Sequence, residues 1–103
     1  MSVILQTFTI RAKKGKLEEA RAEVEKAKEL YLRRGASSAR LFWAIEAGAN
    51  SGDAILAVEY ANAAAWAAVV DSDDDEMRGV RQHLANRKGP VEILGTSLLR
   101  EVG

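Results

Sequence analysis

The stretch Ser38–Tyr60, SARLFWAIEAGANSGDAILAVEY, decides how the chain folds. Its centre, Gly48-Ala49-Asn50-Ser51-Gly52-Asp53, is a cluster of turn formers. An apolar run flanks it on each side, Leu41-Phe42-Trp43-Ala44-Ile45 before and Ala54-Ile55-Leu56-Ala57-Val58 after. Two strands, Ser38 to Ala47 and Asp53 to Tyr60, joined by a short polar loop predict an antiparallel hairpin.

Outward from the hairpin, the spacing of apolar residues changes in both directions. On the N-terminal side, Leu17, Ala20, Val24, Ala27 and Tyr31 step by three or four, which predicts one face of a helix from Lys16 to Arg34. Gly35 is a natural residue to end it, and Arg33 and Arg34 suit its negative C-terminal end. Before Gly15, residues Val3 to Ala12 read as a strand. On the C-terminal side, Asn62 is placed to cap a helix that opens Ala63-Ala64-Ala65-Trp66. The acidic run Asp71–Glu76 predicts a break in the helical region between Val70 and Asp75, because clustered carboxylates repel inside a helix but serve well at its start. Asp73 and Glu76 have the spacing of a capping box. A fresh helix is expected from about Asp74 to Arg87, with Met77, Val80 and Leu84 inward, and a last strand from Val91 to Glu101. The order is βαββαβ: an α+β chain with a four-stranded antiparallel sheet and both helical regions on one face.

Such a sheet has a second face. Alternation places Leu41, Trp43, Ile45, Leu56, Val58, Tyr60, Val91, Ile93 and Leu99 on one side. Phe42, Ala44, Ile55, Ala57, Leu94 and Leu98 fall on the other, with Arg40, Glu46, Glu59, Glu92 and Arg100 toward the strand ends. The first strand is ambiguous, Ile4, Phe8 and Ile10 opposing Val3, Leu5, Thr7 and Thr9. A face left to water alternates to polar residues, and this one does not. A homodimer closed through the uncovered face is therefore expected.

Composition excludes several classes. The 103 residues suit a single domain over residues 1–103, and 15 acidic residues balance 15 basic ones, so no basic excess points to nucleic acid. No cysteine is present, which excludes disulfides and thiolate metal sites. No apolar run approaches the roughly 20 residues of a membrane span, and the N-terminal residues lack the pattern of a signal peptide. No membrane partner and a cytoplasmic location are expected.

The strand-Gly-helix opening from Phe8-Thr9-Ile10-Arg11 to Gly15, the hairpin Arg40 to Tyr60, and Val58-Glu59-Tyr60-Ala61-Asn62 running into Ala65-Trp66 resemble the dimeric α+β-barrel superfamily. The likeness spans nearly the whole chain and is topological. That superfamily has a ferredoxin-like fold and includes antibiotic-biosynthesis-type monooxygenases, haem-degrading monooxygenases and NIPSNAP-like proteins. The resemblance implies a ligand space between the sheet and its own helices. In the haem-degrading members a helix Trp, a later His and a first-strand Asn act together. Trp66 and His83 stand as analogues of the first two, but the Asn position falls near Phe8, which cannot hydrogen-bond, and the Trp66-to-His83 interval is longer. Both departures weigh against haem, and no cofactor is expected. In texture the chain is closer to the NIPSNAP-like members.

His83, the only histidine, is the catalytic candidate; the bland alternative is a surface or boundary residue, since it lies one position off the Met77-Val80-Leu84 stripe. Trp43, Tyr60, Trp66 and Tyr31 are candidate pocket-lining residues, each with core packing as the alternative. Asp71, Asp73 and Asp75 have the spacing of calcium-loop ligands, but Glu76 and Gln82 stand where such a loop needs Gly and Glu, so no metal is expected. Arg11, Lys13, Lys14 and Lys16 form either an anion site or a solvated connection. No catalytic signature motif is present. Two functions stay open. One is a binding or structural homodimer. The other is a cofactor-independent monooxygenase-type enzyme holding a small aromatic or polycyclic substrate among Trp43, Tyr60, Trp66 and His83.

Overall fold

A computed structural model of the chain describes residues 3–43, 53–71, 75, 78 and 89–102. Among the described residues, the elements follow in the expected order: β1 (Ile4–Ala12), α1 (Leu17–Arg33), β2 (Ser38–Trp43), β3 (Ala54–Tyr60), α2 (Ala63–Val70) and β4 (Val91–Arg100). The four strands form one antiparallel sheet in the spatial order β2-β3-β1-β4. This is the ferredoxin-like α+β arrangement.

Local chemistry sets the element ends. Gly15 and Gly35 carry positive φ, 75° and 118°, on the two sides of α1, where a side chain would be strained. Gly35 thus follows the C-cap Arg34, whose N–H donates back to Leu30 and Tyr31. At α2 the Asn62 Oδ1 accepts from the Ala65 N–H at 2.8 Å, as expected of a cap. α2 ends at Val70 with Asp71 as its C-cap, where the acidic run begins. Asp75 and Arg78 are helical and paired at 3.1 Å. The expected break, the Asp73–Glu76 capping box and the Met77-Val80-Leu84 stripe rest largely on residues outside those described, as do Ala44, Ile45 and Glu46.

The register resolves the first strand. Ile4 lies opposite Tyr60, Gln6 opposite Val58, Phe8 opposite Leu56 and Ile10 opposite Ala54. Directly opposed residues share a face. Ile4, Phe8 and Ile10 therefore point to the helices, and Leu5, Thr7 and Thr9 away from them. On the helix side, Ile4, Leu30, Tyr31, Val58, Tyr60 and Val69 are buried together. Sequestering each large apolar chain contributes roughly 1.5–3 kcal/mol before entropy costs.

One expectation is corrected. Simple alternation groups Leu99 with Val91 and Ile93, and Leu98 with Leu94. The β1–β4 ladder instead shifts between Thr9 and Ile10: Thr9 pairs with Gly95 and Ile10 with Ile93, so Leu94 is an extra residue. A bulge of one residue reverses every side chain beyond it. Leu98 and Arg100 consequently join the helix side, and Leu99 lies on the far face opposite Leu5.

Candidate ligand-binding site

The helix–sheet layer is closed at one end and open at the other. At the closed end, Tyr31 and Tyr60 fill the space. Their rings are buried, and Tyr31 stacks tilted on Phe8 with ring centroids 6.0 Å apart. The Tyr60 hydroxyl donates to Gln6 Oε1 at 3.0 Å. Burial pushes the Tyr60 phenol above its usual pKa range, and neighbouring Tyr31 adds to the shift. Trp66 packs against the same core, its Nε1 buried and without an acceptor among the described residues.

At the open end the side chains are smaller. Because α1 runs antiparallel to β1, its first turns lie over the far ends of β1 and β2. Ala12, Ala20 and Ala54 meet there with Val24 and Val91, and they leave a pocket of about 550 Å³. Its apolar rim is Leu17, Leu41 and Trp43, which stay 60%, 38% and 65% exposed. Space of this size with an apolar lining is typical of small-molecule sites.

The polar groups that border the pocket are Arg11, Lys13 and Arg21. Arg11 is held by Asp53 at the start of β3: Nε donates to Oδ1 at 2.8 Å and Nη2 to Oδ2 at 3.0 Å. The Asp53 side chain is buried, whereas the Arg11 side chain is half in solvent. The hydrogen bonds to Asp53, and then that carboxylate's charge, raise the Arg11 pKa further above its ordinary value. Lys16 pairs with Glu19 at 3.4 Å. The basic cluster at the head of α1 is thus partly neutralised by carboxylates.

Of the four candidate pocket residues, Trp43 borders the pocket, while Tyr31, Tyr60 and Trp66 do not and instead pack in or against the core. His83 lies outside the described residues. Among those described, no group of three or more His, Cys, Asp or Glu could hold a metal ion, and no helix is long and apolar enough to cross a membrane. The Arg11–Asp53 clamp and the three alanines were not singled out from the sequence. The pair is 42 residues apart and meets only because β1 lies beside β3.

No family model matches the chain, and no curated protein matches it. Solved structures do match over nearly their full length. Rv0793 from Mycobacterium tuberculosis is 15% identical with a TM-score of 0.65, covering 99% of this chain and 95% of its own. A dabb family protein with a ferredoxin-like fold from Mesorhizobium loti is 19% identical with a TM-score of 0.65, covering 100% and 98%. A conserved protein of unknown function from Bacteroides thetaiotaomicron, called a possible oxidoreductase, is 16% identical with a TM-score of 0.64, covering 97% and 98%. At these identities the likeness is one of fold, and at that level it agrees with the resemblance to the dimeric α+β-barrel superfamily.

Proposed function

We propose that this protein is a small-ligand-binding domain that works as a homodimer. The observation that carries the reading is the pocket at the open end of the helix–sheet layer, where Leu17, Leu41 and Trp43 remain exposed around alanine-lined space. Three large apolar side chains at one mouth cost solvation that a bound apolar or aromatic molecule recovers, at roughly 25 cal/mol per Å² of surface covered. The test is calorimetric titration with a neutral aromatic, naphthalenemethanol. Saturable binding that Ala54→Phe abolishes supports the site, since the new ring would occupy the pocket. Binding unaffected by Ala54→Phe, or none at millimolar concentration, overturns it.

The dimer is supported by the far face of the sheet. Phe42 and Leu99 are 46% and 52% exposed there, beside Leu5, Ile55 and Ala57. The Arg40 guanidinium lies 5.3 Å from the Phe42 ring centre. A second sheet packed about 10 Å away would bury this set, and the total interface should exceed roughly 1,200 Å². Leu99→Lys should shift sedimentation equilibrium toward monomer while circular dichroism stays unchanged. A folded wild-type monomer of 11.2 kDa at micromolar concentration contradicts the dimer.

A second reading, a cofactor-independent oxygenase acting on an aromatic or polycyclic substrate, draws on the same pocket and on Trp43 in its rim. Consumption of dioxygen with a reduced polyphenol, lost in Ala54→Phe, would favour it over binding alone.

A further inference from the structure

The pocket is one-sided in charge as well as in polarity. The polar residues that line it, Arg11, Lys13 and Arg21, are all of cationic type, and no Asp or Glu lines it among the described residues. Arg11 is answered by Asp53 through two hydrogen bonds. Arg21 is different: it makes no ion pair among the described residues. It is exposed and sits one helical turn beyond Leu17, on the same stripe of α1. It therefore lines the same pocket as the apolar side chain of Leu17. Glu18, exposed in the first turn of α1, lies outside the lining, and Glu19 is engaged by Lys16.

Resting on the pocket reading above, we infer that the ligand is an amphipathic monoanion, an aromatic or alicyclic body carrying one terminal carboxylate. The body lies against Leu17, Leu41 and Trp43, and the carboxylate meets Arg21 at the rim. A guanidinium presents a planar fork of donors that matches a carboxylate. The apolar wall beside it lowers the local dielectric and strengthens the attraction relative to open water. A neutral ligand forgoes that contact, and an amine of the same shape brings like charges together. Arg21 is then a specificity-determining residue in the lining of the pocket.

The experiment is a matched series of probes: naphthoate, naphthalenemethanol and naphthylmethylamine, titrated into the full chain at low and high salt. A partly exposed charge-assisted pair contributes about 1 kcal/mol, so naphthoate should bind about fivefold more tightly than the alcohol. The gap should narrow at high salt, and the amine should bind weakest. Arg21→Gln should remove the preference, so that naphthoate binds no more tightly than the alcohol. Equal binding of naphthoate and alcohol, or a preference that persists in Arg21→Gln, overturns the anion assignment and leaves the pocket intact. Failure of all three probes to bind overturns the pocket reading, and this assignment with it.

Discussion

The two ends of the helix–sheet layer are spanned by the same helix and the same strands, yet one is packed solid and the other is open. At the closed end, Leu30, Tyr31, Val58, Tyr60 and Val69 leave almost no accessible surface. At the open end, Ala12, Ala20 and Ala54 stand at comparable positions, and the larger residues retreat to the rim. Fold and vacancy are thus separable: side-chain volume at a few sites decides whether this architecture holds a core or a cavity. The closed end should carry the stability, and the open end is free to carry binding.

The largest expected effect tests that division. Leu30→Ala should cost about 2–5 kcal/mol in urea unfolding, because a fully buried leucine leaves a cavity. Leu17→Ala, at the other end of the same helix, should cost less than about 1 kcal/mol. Similar losses would break the comparison.

The Arg11–Asp53 pair is expected to show an asymmetric effect. Arg11→Ala strands the buried Asp53 carboxylate, whereas Asp53→Asn leaves a guanidinium that water can reach. The first should lower the urea midpoint more than the second. The reverse order would mean that the pair does not hold the β1–β3 margin of the pocket.

A smaller effect comes from Tyr60→Phe, about 1 kcal/mol from the lost hydrogen bond to Gln6. It also carries a pH signature. Burial raises the phenol's folded-state pKa above the unfolded value near 10. Below that pH both states hold the proton, and the term is constant. As pH rises above it the unfolded chain releases the proton first, so stability falls. The alkaline decline in wild-type stability should therefore be steeper than in Tyr60→Phe. Equal slopes would place the hydroxyl in water. The smallest stability effect, within about 0.5 kcal/mol, is expected of Trp43→Ser, whose ring is largely solvated, although ligand binding should weaken.

Much of the fold was legible because it is written in local pattern. The step from Leu17 to Tyr31 marks α1, Asn62 announces α2, and the turn cluster between Trp43 and Asp53 implies the hairpin. The bulge at Leu94 was missed: Gly95, an isolated glycine inside a strand pattern, is the signal that could have marked it, but the extra residue itself emerges only from pairing with β1. The site was harder still. Trp43 was recognisable as a large aromatic on the helix side. Tyr31, Tyr60 and Trp66 offered the same chemistry, and what separates them is depth in the layer, a property of three-dimensional packing. The alanines that make the space carry no chemical signal of their own.

The most direct test of the central claim uses the two tryptophans as reporters, one at each kind of environment. In a proton–nitrogen correlation spectrum each indole gives its own resonance, assigned by Trp43→Phe and Trp66→Phe. On titration with naphthalenemethanol, the Trp43 indole peak should shift along a saturable curve, together with backbone amides of Leu17 and Ala54, while the Trp66 indole stays in place. Shifts centred on Trp66 with Trp43 unmoved, or no saturable shift at all at millimolar probe, would contradict a ligand pocket at the open end.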